Sequence, residues 1–206
     1  MPTPRPKTWD LRPARGRSRE AMTFLAQMDD LRALLWADLR GATAAELEWQ
    51  PRRGTNSIGM LLAHLAVVET YWIEVALGRF SPASLRTVGG DFEVMKERFL
   101  RPVLGIHPDD DGLPLPPNGR PPAALAGWTL ARHRRLSDRA RAHVTAAVRA
   151  LGDADLDRFV VRQRMDGSRT RIRVRWILYH IVEHYAGHYG QVLLLRHLYR
   201  DRRRRP

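Results

Sequence analysis

Four stretches of the chain repeat their hydrophobic residues at intervals of three and four, which is the period of an amphipathic helix. The second stretch is the clearest, because the capping residues Asn56 and Ser57 precede it and Gly78 follows it. The pattern predicts an all-α protein built as a four-helix bundle. The four predicted helices cover residues 18–39, 56–77, 122–151 and 175–199.

A long connection, residues 79–121, separates the second and third predicted helices. It has room for a short helix at residues 91–100, and its second half is rich in proline. Connections of this length in a compact domain are usually functional or disordered. The bundle is therefore expected to have a long crossover between helices two and three. Between helices three and four, residues 158–174 alternate valine, isoleucine and arginine, which is a weak signal for a β-hairpin.

One domain is expected from a chain of 206 residues, and we assign the bundle to residues 18–199. Residues 1–17 are rich in proline and arginine and form a predicted flexible basic arm without the apolar centre of a secretory signal. Residues 200–206 form a basic tail. The sequence suggests no apolar run as long as a membrane span, so a cytoplasmic protein without membrane contact is expected.

The chain carries a formal net charge of +13 and has no cysteine. The absence of cysteine excludes disulfides, thiolate metal ligands and a cysteine nucleophile. A strongly basic chain can bind nucleic acid, an anionic surface or acidic small molecules. Because no zinc-finger spacing, stacking pattern or reading helix accompanies the charge, we favour a solvated basic surface over nucleic-acid binding. Most arginines of the central basic stretch alternate with other residues: Arg162, Arg164, Arg169, Arg171, Arg173 and Arg175.

Histidines provide the sharpest chemical signal. His180, His184 and His188 follow one another at four-residue intervals in the last predicted helix, and His64 lies inside the apolar second helix. Two histidines four apart on a helix can bind one metal ion. His180 and His188 are about 12 Å apart along the axis, too far for one ion to reach both. Spacing alone leaves open whether His180/His184 or His184/His188 is the binding pair.

Two segments resemble the DinB/YfiT-like family of metal-binding four-helix bundles: the run Asn56-Ser-Ile-Gly-Met-Leu-Leu-Ala-His64-Leu65 and the run from Arg175 to Gln191, which ends His184-Tyr-Ala-Gly-His188-Tyr-Gly-Gln. The resemblance covers roughly residues 18–199. Members of that family hold a divalent metal, often nickel or zinc, with one histidine from the second helix and two from the last. The resemblance therefore implies that His64, His184 and His188 are the metal ligands.

Four further residues are candidates for contact with these ligands. His180 would be a neighbour of the site if His184 and His188 are the binding pair. Gln191 follows His188 by three residues and could orient a ligand or a water, although a hydrogen bond between helices explains it as well. Glu183 adjoins His184 but points about 100° away from it. Tyr71 lies almost on the face of His64, where core packing is the simpler interpretation.

A three-histidine site leaves coordination positions open for water or substrate, and a metal there acidifies bound water or a bound thiol. The resemblance implies a metal-dependent enzyme that activates a low-molecular-weight thiol such as mycothiol or bacillithiol. The predicted function is thiol S-transferase-like, with a hydrolase as a second option, and no catalytic residue can be assigned. The alternatives are a non-catalytic bundle that binds metal or a small ligand, and a nucleic-acid-associated protein acting through arginine. A homodimer fits the family's fold.

Overall fold

The computed structural model describes residues 11–78, 96–106, 121–163 and 168–202. Four long helices form a bundle, as predicted: α1 Arg19–Asp38, α3 Ile58–Leu77, α5 Leu130–Ala150 and α7 Val174–Arg202. The shorter elements are α2 Ala44–Glu48, a π-helical turn Lys96–Leu100, α4 Arg101–Leu104, a 3₁₀ turn Ala123–Leu125, α6 Asp153–Asp157 and the strands β1 Phe159–Gln163 and β2 Arg169–Arg173.

The ends of the long helices follow from side-chain caps. The Ser18 hydroxyl accepts a hydrogen bond from the backbone N–H of Ala21 at the start of α1, and Ser57 does the same at the start of α3. Each cap satisfies an N–H that has no partner within its helix. The helix α3 ends at Gly78, whose φ of 65° favours glycine. The sequence predicted the first, second and fourth long helices to within about three residues.

The third predicted helix was placed wrongly at its start. We predicted a helix from residue 122, whereas α5 begins at Leu130. Gly127 has a φ of 71°, which interrupts helical geometry, and the Thr129 hydroxyl then accepts from the N–H of Arg132 to start a new helix. Hydrophobic residues keep helical intervals on both sides of Gly127, so their pattern does not show the break.

The helix α3 is the centre of the bundle and packs against both α5 and α7, while α1 packs against α7. It is buried on all sides, with only Val68 and Leu77 among its 20 residues partly exposed. Its length and composition would allow it to cross a membrane, which corrects the expectation that no apolar run is long enough. However, 89% of its apolar window is buried inside the protein, as in the core helix of a bundle.

The weak hairpin signal is confirmed for its two strands. Strands β1 and β2 pair antiparallel, with Val160 opposite Ile172 and Arg162 opposite Thr170. Side chains alternate between the faces of a hairpin, so these four share one face. Val160 and Ile172 are buried, which shows that this face is turned toward the helices. Because β2 runs directly into α7, the hairpin is fixed beside the first turn of that helix.

Several predicted segments fall wholly or partly outside the described residues. These are residues 1–10 of the arm, 79–95 and 107–120 of the crossover, 164–167 of the hairpin and 203–206 of the tail. Of the short helix predicted at residues 91–100, the described part is the π-helical turn Lys96–Leu100, which continues into α4. The division into arm, bundle and tail, and the course of the crossover, stay predictions.

Candidate metal centre

His64, His184 and His188 come together between two helices. His64 lies on α3, the other two lie on α7, and the packing of these helices brings their rings into contact. The ring centre of His64 is 5.1 Å from that of His184 and 5.0 Å from that of His188. One nitrogen from each ring lies within 4.8 Å of the other two. We call these three residues the histidine triad.

The spacing within the triad fits a single ion. The Nε2 atoms of His184 and His188 are 3.1 Å apart. Two nitrogens bound tetrahedrally at about 2.0–2.1 Å from one ion are separated by about 3.3 Å. The four-residue interval along α7 therefore produces nearly the separation that two ligands of one ion require. Since His64 is buried and the other two are half-buried, the triad opens toward the α7 side.

Electrostatics keep the rings of α7 in the form that binds metals. Burial, followed by the neighbouring rings of His188, His64 and His180, lowers the pKa of His184 to about 3. Burial also lowers the pKa of His188, although its hydrogen bond with Gln191 opposes the change. Both imidazoles are therefore neutral near pH 7 and offer a lone pair to a cation. Neutral imidazoles suit zinc or nickel better than magnesium or calcium.

Gln191 holds the ring of His188 in one orientation. Its side-chain oxygen lies 2.8 Å from Nδ1 of His188, so Nδ1–H donates to Gln191. With the proton on Nδ1, the lone pair of the ring is on Nε2, which is the atom that faces His184. Metal-binding histidines are commonly fixed in this way by a partner on the other nitrogen. This contact is the one predicted from the interval of three residues, and its role in metal binding stays a prediction.

His180 stands outside the triad. Its ring centre is 5.8 Å from that of His184, and it stacks on Trp176 at 4.8 Å with the rings nearly parallel. Its Nδ1 lies 3.5 Å from Glu183, which is exposed and contacts no member of the triad in any described interaction. Of the two pairs left open by spacing, the cluster contains His184 and His188. The assignment of these residues as ligands stays a prediction.

Tyr71 was a candidate neighbour of the site, and the structure gives it another contact. Its hydroxyl accepts a hydrogen bond of 2.6 Å from Nε of Arg162 on the hairpin. Its ring packs edge-on against Trp72. Tyr71 therefore links α3 to the hairpin, and its predicted place beside the metal site stays a prediction.

Sequence reasoning missed a cleft beside the triad, which we call the aromatic cleft. Its volume is about 540 Å³, and Trp72, Trp176 and His180 line its helical side. The interval of four residues between Trp176 and His180, which puts them on one face, was a usable signal. The hairpin side could not be foreseen, because its strands were only weakly indicated.

The comparisons with known proteins agree with the architecture. A family model described as the DinB superfamily matches residues 27–192. The matched span contains all of α3 and α5 and every member of the histidine triad. A search among curated proteins finds no match to this chain.

Proposed function

This chain belongs to the DinB superfamily, and on that premise we propose that it is an enzyme dependent on one divalent metal ion, zinc or nickel. His64, His184 and His188 would hold the ion. One observation carries the proposal, namely the convergence of three imidazole nitrogens from two helices within 4.8 Å. Within the described residues no carboxylate joins this cluster. Three neutral ligands leave the charge of the ion uncompensated and at least one coordination position open.

A cation in such a site lowers the pKa of a thiol or water that it binds, or polarises a carbonyl. The residues of the chain prepare the site for this chemistry. Burial keeps His184 neutral, and Gln191 holds the proton of His188 on the nitrogen that faces away from His184. Their contribution is to hold the ring of His188 with Nε2 directed toward His184, where a shared ion would lie.

A thiol S-transferase-like activity fits the composition of the chain. There is no cysteine in 206 residues, so a sulfur nucleophile must come from a small cosubstrate. The side of the triad bordered by His180 adjoins a cleft large enough for an organic molecule. The basic surface suits a cosubstrate that carries carboxylates.

Nucleic-acid binding is the weaker alternative, because arginines in the central basic stretch are engaged within the fold. Arg175 pairs with Glu20 at 2.6 Å and also with Asp157. Arg173 pairs with Asp157 as well, at 3.3 Å. Phosphate binding would require breaking these pairs. If the chain binds DNA, its affinity must fall steeply with salt concentration.

The proposed activity is tested by transfer of a thiol to an electrophile. Purified protein, stripped with chelator and reloaded with zinc or nickel, is assayed with a panel of carboxylate-bearing thiols and 1-chloro-2,4-dinitrobenzene. We expect thioether formation that requires both metal and protein and is lost in His184→Ala. Metal binding at one equivalent with no transfer by any thiol, and no hydrolysis of ester or amide substrates, would instead support a non-catalytic metal-binding bundle.

A further inference from the structure

The aromatic cleft lies between the hairpin and the helices α3 and α7. Its helical wall is Trp72, Trp176 and His180, and its hairpin wall includes Arg162, Thr170 and Ile172. A volume of about 540 Å³ lies in the range of sites that bind small organic molecules. The cleft thus has an aromatic side and a basic, polar side, which limits the chemistry of what it can hold.

The aromatic wall is rigid and partly open to solvent. The ring centres of Trp72 and Trp176 are 5.8 Å apart in an edge-to-face arrangement. The ring of His180 stacks on Trp176 and meets Trp72 edge-on at 5.0 Å. Nevertheless, Trp176 is 44% exposed, which is high for an indole in a preformed wall. A flat apolar molecule lying against it would remove that surface from water and gain ring stacking.

Three arginines line the cleft, and Arg162 is the one on the hairpin face that is turned toward the helices. The hairpin register places Arg162 on the face that also carries the buried Val160 and Ile172, so it is directed toward the helices. Nε donates to the Tyr71 hydroxyl at 2.6 Å, and the guanidinium carbon is 5.1 Å from the ring centre of Trp72. An arginine fixed in this way loses little conformational freedom when it binds a carboxylate.

Two other arginines border the cleft, but their side chains lie on the opposite face of the hairpin. The guanidinium carbons of Arg171 and Arg173 are 4.5 Å and 4.3 Å from the ring centre of Phe159. Arg173 also pairs with Asp157. Arg171 is therefore a matched control for Arg162, since it carries the same charge on the same hairpin and differs in the face that it occupies.

The cleft and the triad share His180 as a boundary. Its ring lines the cleft and lies 5.8 Å, centre to centre, from the ring of His184. A molecule in the cleft would therefore be separated from the nearest member of the triad by the ring of His180. This proximity is what relates the cleft to the chemistry proposed above.

We propose that the aromatic cleft binds the organic substrate of the metal centre, and that this substrate is a flat aromatic or conjugated carboxylate. The ring system stacks on Trp176 and meets Trp72 edge-on, since the two indole planes are 74° apart, and the carboxylate pairs with Arg162. The role as substrate rests on the proposed function. The binding itself does not, because no member of the triad lines the cleft.

Binding is tested on the full chain treated with EDTA, so that the outcome is independent of the metal. The probes are 2-naphthoate and its neutral analogue 2-naphthamide, titrated by isothermal calorimetry and by quenching of tryptophan fluorescence. We expect wild-type protein to bind the carboxylate at least about tenfold more tightly than the amide, because a hydrogen bond to a charged group is the stronger kind. Failure of 2-naphthoate to bind at millimolar concentration overturns the proposal.

The variants separate the two walls. Arg162→Gln should abolish the preference for the carboxylate, whereas Arg171→Gln should keep at least half of it. Trp176→Ala should weaken both probes by a similar factor, about tenfold. An equal loss of preference in Arg162→Gln and Arg171→Gln would show only general charge attraction and would overturn the assignment of Arg162.

A second variant covers the risk that Arg162→Gln disturbs the hairpin. Tyr71→Phe removes the hydrogen bond that fixes Arg162 but keeps its charge. We expect a partial, roughly threefold loss of preference for the carboxylate, and no loss would contradict the positioning that we assign to Tyr71.

If zinc fails to bind while 2-naphthoate binds as expected, the proposed function fails and the cleft assignment remains. If zinc binds while 2-naphthoate does not, the cleft assignment fails and the proposed function remains.

Discussion

Two of the places where α3 buries polar side chains against a neighbouring helix are built on opposite principles. Around Glu69 the buried charges are paired, since its carboxylate lies 2.7 Å from Arg141 of α5 and both side chains are almost wholly buried. Burial raises the pKa of Glu69, and Arg141, followed by Arg32, opposes that change. At the triad, three groups of the same kind face one another, and the pKa of His184 falls because its ring is buried and, to a lesser extent, because the neighbouring rings would repel it if charged.

The comparison shows how a buried polar group is satisfied by a partner inside the chain or by one from outside it. Glu69 and Arg141 form an ion pair within the chain, and the ring of Tyr185, the residue after His184, lies 5.8 Å from the Arg141 guanidinium. In the triad, the nitrogens of three imidazoles face one another. A cation can accept their lone pairs, whereas another histidine cannot. The first place therefore has its partner within the chain, and the second is the one at which we propose a bound cation.

The largest expected effect is at the paired charges. Arg141→Ala leaves the carboxylate of Glu69 buried without its main partner, so the free energy of unfolding should fall by about 3–5 kcal/mol, measured by urea denaturation of metal-free protein. As a control, Arg101→Ala in the exposed pair with Glu97 should change it by less than about 0.5 kcal/mol. A similar change in the free energy of unfolding for Arg141→Ala and Arg101→Ala would show that the buried pair has no special role.

The buried histidine His133 should make the free energy of unfolding fall in acid. Burial, followed by Arg132, lowers the pKa of His133 to about 4 from an ordinary 6.5. The folded state then binds fewer protons than the unfolded state between pH 6.5 and 4, so stability is lost as the pH falls through this window. We expect His133 to account for about 3 kcal/mol, and metal-free His133→Gln to show a correspondingly flatter pH dependence of unfolding. An unchanged slope would contradict the neutral, buried state of His133.

A smaller effect is expected at Gln191, which lies outside the triad and orients one of its rings. Gln191→Ala should weaken zinc binding about 10–100-fold, because His188 loses the acceptor that holds its proton on Nδ1. The free energy of unfolding of the metal-free protein should barely change, since Gln191 is exposed. Competition with a chromophoric chelator measures the affinity, and wild-type affinity in this variant would rule out the orienting role.

The smallest expected effect on metal binding is at His180. His180→Phe keeps an aromatic ring against Trp176 and removes both nitrogens, so zinc affinity should stay within about threefold of wild type. The same chelator competition decides this. A loss of zinc affinity as large as that caused by replacing His184 would make His180 a ligand. It would then favour His180/His184 as the binding pair over His184/His188.

The sequence predicted the bundle well because hydrophobic residues at intervals of three and four mark the face of a helix that is buried. Spacing left two histidine pairs of α7 open, and the resemblance implied the three histidines that the structure brings together; their role as ligands stays a prediction. The sequence could not predict the aromatic cleft, where Arg162 and Trp72 meet only through the packing of a hairpin against α3. It misplaced the start of α5, because the break at Gly127 depends on a backbone angle that hydrophobic spacing does not encode.

The central claim is that histidines from two helices bind one cation together, and zinc equilibrium dialysis of the metal-free protein tests it most directly. Wild type should bind one equivalent of zinc, and His64→Ala and His184→Ala should each lose affinity by more than the 100-fold expected at most for an outer partner. His197→Ala, on the exposed side of α7, should bind as wild type does. Full zinc binding by His64→Ala would contradict the claim, because α3 would then contribute nothing to the site.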